Sequence, residues 1–253
     1  MAELLSKARA SLIASLSQSK MRRRHGLFVA EGRKCVEDTL GIFSLRYVVC
    51  TQEYLESNPF SDIKDSDIFI ASRDTIKKIS SLSTPPEVLA VYEIPDSEEL
   101  PRPEVDALSL VLDGVQDPGN LGTIVRAAHW FGVKRIYCSN DTVDIYNPKS
   151  IMATMGSAGH VEIFYCDIDK FLSSVDSSIP IYATLLDGDD IYRQPLSAGG
   201  IIIMGNEGKG ISDVIKRHVT RLLTIPPGDK SDHAESLNVG VATAVVLSQF
   251  RSR

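Results

Sequence analysis

The sequence predicts an α/β protein made of two units, and three observations carry that expectation. Short apolar runs of strand length alternate with stretches of helical period along all 253 residues. In the second half those runs are continuously apolar rather than alternating, the pattern of strands buried on both faces of a parallel sheet. Between the halves lies Pro95-Asp-Ser-Glu-Glu-Leu-Pro-Arg-Pro-Glu104, with three prolines and four acids in ten residues, which cannot pack a core. The boundary is expected near residue 105, separating a smaller unit over 1–105 from a larger one over 106–253.

The elements follow in order. Leu4, Leu5, Ala8, Leu12 and Leu16 fall at helical spacing and predict a helix over Leu4–Ser17. Leu27–Ala30 reads as a strand, Arg33–Leu40 as a helix, and Arg46–Cys50, Asp67–Ala71 and Val88–Ile94 as strands, with short helices such as Asp74–Ser80 between them. In the second half Leu108–Val115 is a strand and Leu121–Phe131 a helix, ended by Gly132 as its natural cap. Strands are expected at Arg135–Cys138, Ile163–Tyr165, Ile181–Leu186, Ile201–Met204 and Leu222–Ile225, and a closing helix from about Ser236 to Phe250.

A hydrophobic share of 43% and a charged share of 24% are ordinary for a globular protein. No apolar run approaches the roughly 18 residues a bilayer span needs, and Met1–Arg24 lacks the core and cleavage site of a signal peptide. Cys35, Cys50, Cys138 and Cys166 lie far apart without metal-ligand spacing, so neither a zinc site nor a disulfide framework is expected, and a cytoplasmic protein is. The net charge of −6 hides an asymmetry. Residues 1–35 carry eight Lys and Arg against Glu3 and Glu31, an excess of six that leaves −12 for the rest. A basic pole on an acidic body can neutralise phosphates locally, or it can be a solvated helix end.

Three segments look chemical. Asp117-Pro-Gly-Asn-Leu-Gly-Thr-Ile-Val-Arg-Ala-Ala-His-Trp-Phe-Gly132 follows a buried strand and opens a helix, where open α/β sheets bind ligands. Asn120 stands where a helix cap belongs. Arg126 has mostly apolar neighbours, on a helix that reads as apolar nearly all round, so it needs an acidic partner or a polar cleft. In the second segment the apolar Ile201–Met204 runs into Gly205-Asn-Glu-Gly-Lys-Gly210 with Glu207 at its tip. That loop is neither a Walker A loop nor GxGxxG, and alone it equally fits a tight turn. In the third, a strand ends at Pro226-Pro227, a polar loop follows, and Ser236 is a reasonable cap for a helix with Gly240, Ala242 and Ala244. Those small residues suit close packing, either in a core or between subunits.

Together the segments resemble the SpoU/TrmH family of SPOUT methyltransferases. Asn120, Gly122, Arg126, Ala128, Phe131 and Gly132 match its first motif. Gly205, Glu207 and Gly210 match its second, and Ile225-Pro226 with Ser236-Leu237-Asn238-Val239 its third. Arg24-His-Gly-Leu-Phe-Val-Ala-Glu-Gly32 is similar to the opening of the family's L30e-like RNA-binding domain. The resemblance implies a deep trefoil knot in the C-terminal domain, a homodimer and S-adenosyl-L-methionine as cofactor. It implies that the backbones of Gly205, Ile225 and Leu237, with Asn206, Gly210 and Pro226, hold the cofactor, lined by Thr184 and Leu185. Asn120, Arg126, Glu207, Ser236 and Asn238 would form the catalytic cluster.

The implied reaction is methyl transfer to a ribose 2′-hydroxyl, which selects RNA over DNA and needs no metal. Arg126 is often given as general base in this family. A guanidinium rarely gives up its proton in proteins, so stabilising the developing alkoxide suits it better. Arg22, Arg23, Arg24 and Arg33 would contact RNA phosphates. The arginine cluster favours ribosomal RNA over transfer RNA. A non-catalytic RNA-binding protein on the same fold would need a damaged motif, and a dehydrogenase would need the missing GxGxxG.

Overall fold

The computed structural model describes residues 2–96, 99–229 and 231–252, apart from the side chain of Leu186. It divides into two compact units, Met1–Asp96 with Tyr146–Gly159, and Ser97–Ile145 with His160–Arg253. The first unit is therefore discontinuous in sequence.

The first unit opens with β1 (Glu3–Leu4), α1 (Lys7–Ser15), α2 (Ser19–His25), β2 (Leu27–Glu31) and α3 (Arg33–Thr39). It continues with β3 (Leu45–Cys50), α4 (Gln52–Ser57), β4 (Ile68–Ile70), α5 (Arg73–Ile79) and β5 (Val88–Glu93). Its sheet has the order β1-β4-β3-β5-β2, with β5 antiparallel to β2 and β3. Ile13, Leu16, Val49, Phe69, Ile76 and Leu89 form the core beneath α1 and α5. The helix expected from Leu4 starts only at Lys7. Ser6 caps it by accepting from Arg9 N–H, and Glu3–Leu4 pairs with Phe69–Ile70 instead, leaving Leu4 80% exposed.

The turn from α1 into α2 overturns one expectation. Arg22 is 1% exposed, and its Nη1 donates to the carbonyls of Leu16 and Ser17, 2.9 Å each. These groups lie at the end of α1, where carbonyls lack helical partners. Arg22 is thus a buried prop of the helix end rather than a phosphate contact. Arg23 and Arg24 are exposed.

The second unit contains β6 (Leu108–Asp113), α6 (Pro118–Trp130) and β7 (Arg135–Ser139). The next helix, α7 (Pro148–Thr154), belongs to the first unit. There Tyr146 packs its ring 4.9 Å from Phe28, and a Cβ on Gly159 would fall 1.7 Å from Ile42 Cγ2. The second unit resumes with β8 (Glu162–Cys166), α8 (Ile168–Ser173), β9 (Ile181–Asp190) and β10 (Gly200–Gly205), then α9 (Asp213–Lys216), β11 (Arg221–Thr224) and α10 (Val239–Arg251). All six strands run parallel in the order β11-β9-β10-β6-β7-β8. Leu110, Val111, Leu112, Ile201, Ile202 and Ile203 are each 0% exposed, which explains their unbroken apolar runs. Gly132 ends α6 with φ +70°, as the sequence predicts.

Two features shape the edge where ligands bind such sheets. The β9–β11 pairing jumps from Ala183↔Leu222 to Asp189↔Leu223, so residues 184–188 bulge out of the ladder. Helices α6 and α10 pack closely because Gly240 carries no side chain, and a Cβ there would lie 2.9 Å from Thr123 Cγ2. The small residue of α10 thus serves packing within this unit.

Arg22→Ala should lower stability by about 2–3 kcal/mol, because buried carbonyls lose their donor. Arg23→Ala and Arg24→Ala should each change it by less than about 0.5 kcal/mol. Thermal unfolding of the three variants checks this, and equal shifts in all three would remove the special role of Arg22.

Candidate active site

The parallel sheet directs the ends of β6, β10 and β11 to one edge. The loop after β6 enters α6 through Asp117, which caps the helix by accepting from Asn120 N–H at 2.8 Å, with Pro118 at the first helical position. Asn120 is therefore not the cap that the sequence suggests. Its backbone is held by Asp117, and its side chain is released to reach other loops.

That side chain sits at the centre of a polar relay. Asn120 Nδ2 donates to Glu207 Oε1 at 2.9 Å, and Asn120 Oδ1 accepts from Asn238 Nδ2 at 2.8 Å. Asn238 Oδ1 in turn caps α10, accepting from Gly240 N–H and Val241 N–H. Asn238, rather than Ser236, is thus the cap of the last helix. Glu207 also takes longer bonds from the backbone N–H groups of Gln116 and Asp117, at 3.5 and 3.4 Å. A carboxylate only accepts and a helix N–H only donates, so both amides between them have one possible orientation. The relay ties the three sequence segments together across 87 and 118 residues of chain.

A second set of bonds shapes the glycine loop. Asn206 Nδ2 donates to the Gly114 carbonyl at 2.7 Å, and its Oδ1 accepts from Gly208 N–H and Lys209 N–H, both at 2.9 Å. Asp113 Oδ2 accepts from Ser212 N–H at 2.7 Å. A Cβ on Gly205 would lie 2.4 Å from the Gly210 carbonyl carbon. Gly205 is needed first to let its own loop close, whatever ligand lies beyond it. The side chain of Asn206 is likewise spent on the loop.

The other expected residues are placed differently. Arg126 is exposed and makes no hydrogen bond or ion pair among the described residues. Its helix is not apolar all round: Thr123, Arg126 and Trp130 lie on an exposed stripe, with Trp130 83% exposed. The arginine points to solvent and needs no buried partner. Ser236 is exposed and outside the relay. Leu237 is 51% exposed, and among the described residues no hydrogen bond engages its backbone. Thr184 donates to Met204 Sδ at 3.5 Å, and Leu185 is half-buried at the start of the β9 bulge. The unengaged backbone of Leu237 beside its own exposed aliphatic side chain is chemically compatible with the adenine ring of S-adenosylmethionine.

In the first unit, Arg33 Nε donates to Glu37 Oε1 at 2.7 Å. The cysteines offer no nucleophile, since burial pushes Cys35 up to about 12 and both Cys50 and Cys166 up to about 11. Sequence reasoning missed Asp117 and Asp113. The dipeptide Asp117-Pro118 carries the pattern of a cap followed by a first-turn proline and could have revealed the first. Asp113 has no local signature.

The model of the SpoU rRNA Methylase family matches residues 107–248, and that of the MRM3-like substrate binding domain matches residues 9–90. The chain is 27% identical to the 23S rRNA (guanosine(2553)-2'-O)-methyltransferase RlmP of Bacillus subtilis, over 93% of each chain. Among solved structures it resembles a TrmH-family protein of Porphyromonas gingivalis, with 35% identity, TM-score 0.84 and 98% of each chain covered. It also resembles an AdoMet-bound rRNA methyltransferase of Sinorhizobium meliloti, with 28% identity, TM-score 0.82, and 98% and 97% covered.

Asn120→Asp would set a new carboxylate against Glu207 across the present 2.9 Å contact. The variant should lose about 1–2 kcal/mol near neutral pH through like-charge repulsion. Protonation relieves that repulsion, so stability is recovered as pH falls through the carboxylate range and lost as pH rises through it. Denaturant unfolding at about pH 5 and pH 8 checks the sign. A deficit independent of pH would show that the two groups do not face each other.

Proposed function

The chain belongs to the SpoU rRNA methylase family, and we propose that it transfers a methyl group from S-adenosyl-L-methionine to a ribose 2′-hydroxyl of ribosomal RNA. The relay Asn238–Asn120–Glu207 carries this reading, because it closes the three family motifs into one site. The names of the relatives support the substrate: one is a 23S rRNA 2'-O-methyltransferase, another an rRNA methyltransferase with AdoMet bound.

S-adenosylmethionine supplies an electrophilic methyl on a sulfonium centre. The backbones of Gly205, Ile225 and Leu237 would hold it, with Asn206, Gly210 and Pro226 shaping the loops and the Thr184–Leu185 bulge lining one side. Arg126 presents a guanidinium free of protein partners among the described residues. Its fork of donors suits a phosphate beside the target ribose and the oxygen on which negative charge develops. Ser236 offers an exposed hydroxyl to the ribose. Glu207 and Asn120 are engaged with protein groups, so their work is to hold the loops at fixed distance. Arg23 and Arg24 of the first unit would meet RNA backbone, whereas Arg33 is paired with Glu37 through Nε.

The working unit is a homodimer on this reading. Helices α6 and α10 pack on each other and leave Trp130 83% and Val241 50% exposed, apolar side chains that a second copy would cover. Among the described residues no helix is long and apolar enough to cross a membrane.

Two measurements test the proposal. With 23S rRNA as substrate, Arg126→Ala should depress turnover by about 100-fold or more while calorimetry with S-adenosylmethionine stays near wild type. No methyl incorporation by the wild-type chain would end the catalytic reading. Trp130→Lys should convert a dimer into a monomer in sedimentation at micromolar concentration, and a wild-type monomer would end the dimer reading.

A further inference from the structure

The first unit contains a groove that none of this chemistry uses. It has a volume of about 790 Å³ and lies between α3, the start of β3, α4 and the loop 58–63. Phe43, Tyr54 and Phe60 line it, with Tyr54 and Phe60 ring centroids 6.2 Å apart. Tyr54 is packed against Phe60, while the half-buried rings of Phe60 and Phe43 leave part of their surface open to a flat ligand.

Its polar groups are specific. Tyr54 is 6% exposed, yet its hydroxyl has no hydrogen-bond partner among the described residues. Among the described residues it is not a buried orphan, so its oxygen is open to the groove that the ring lines. Arg33 is anchored to Glu37 through Nε alone, which leaves its two terminal amino groups open at the groove. Asn58 donates through Nδ2 to the Tyr54 carbonyl at 3.2 Å and keeps its Oδ1 open. Asp62 accepts from Ser61 Oγ through Oδ2 and keeps its Oδ1 open. The lining thus offers donors and acceptors together.

The charges discriminate among ligands. Glu37 and Asp62 outnumber Arg33, the one Lys or Arg of the lining. A phosphate would be repelled. A nucleobase is uncharged, flat, and carries donors and acceptors along one edge. We infer that this groove takes an unstacked nucleobase of the RNA, lying against the open ring surface of Phe60 and Phe43 and read by the Tyr54 hydroxyl, Arg33 and the open acceptors. The RNA source rests on the proposed function, while the base-binding groove itself does not. The site would give the first unit a means of recognising a single-stranded loop that phosphate contacts lack.

The full chain is titrated with the four nucleoside monophosphates, and separately with inorganic phosphate, while the ring resonances of Phe43, Tyr54 and Phe60 are followed by NMR. Nucleotides should shift these signals, purines most, and phosphate alone should not. Silence with all four nucleotides, or an equal response to phosphate, would overturn the inference. In parallel, Phe60→Ala should weaken 23S rRNA binding about 5- to 50-fold without changing its salt slope, since stacking releases no counterion. Tyr54→Phe keeps the ring and the fold, and should still weaken binding about 3- to 10-fold through the lost hydroxyl. Both should spare the maximal methylation rate at saturating RNA. Unchanged rRNA affinity in both variants beside normal methylation would overturn base capture alone. Nucleotide binding in a chain that methylates no rRNA would leave the groove standing and defeat the proposed function.

Discussion

Parallel strands deliver their C-terminal ends to one edge of a sheet, and everything at the candidate site depends on that constraint. β11, β9, β10 and β6 are consecutive in space though scattered in sequence. The loops beyond β6, β10 and β11 therefore meet. Burial enforces the arrangement. The central strands are sealed on both faces, so no strand can slip register without moving apolar side chains out of the core. The sheet places the loops but leaves their polar groups unoriented.

Orientation comes from the relay. Each of its bonds is at the surface and contributes about 1 kcal/mol at most. Its value lies in direction: the carboxylate of Glu207 at one end and the N–H groups of α10 at the other leave Asn120 and Asn238 no alternative pose. The close approach of Gly240 to Thr123 holds the two helix starts at the spacing these bonds need. Packing sets the distance and the relay sets the angle, which leaves Arg126 as the uncommitted polar group on α6.

What was legible in the sequence follows from how local its causes are. The buried strands declare themselves because burial on both faces leaves no polar position, and the motif positions stood out as a family resemblance. Cap assignment failed at both helices. Asp117 and Asn120 stand three residues apart, as Ser236 and Asn238 stand two apart, and either residue of each pair is a competent cap. The choice was made by Glu207, 87 residues beyond Asn120, which no local rule sees. Likewise three adjacent arginines look alike, and only the register of the short helix α2 decides that Arg22 is buried. The joining of residues 146–159 to the first unit is hidden for another reason. Gly156 and Gly159 make close approaches through an absent side chain, which hydrophobic pattern cannot register.

These placements change how the first unit would hold RNA. The basic N-terminal segment counts eight cations. Arg22 is spent inside the fold, Arg33 faces Glu37, and Lys34 Nζ is 2.5 Å from Asp38 Oδ1. Arg9 lies over the Phe69 ring with its guanidinium carbon 4.1 Å from the centroid. The phosphate-seeking charge that remains sits on Lys7, Arg9, Lys20, Arg23 and Arg24, all exposed, on a chain whose total is −6. So small a set gives limited counterion release, and the acidic remainder opposes it at range. Affinity for a large RNA must then draw on contacts that carry no net charge, and flat aromatic surfaces with directional polar groups are the kind a protein can provide.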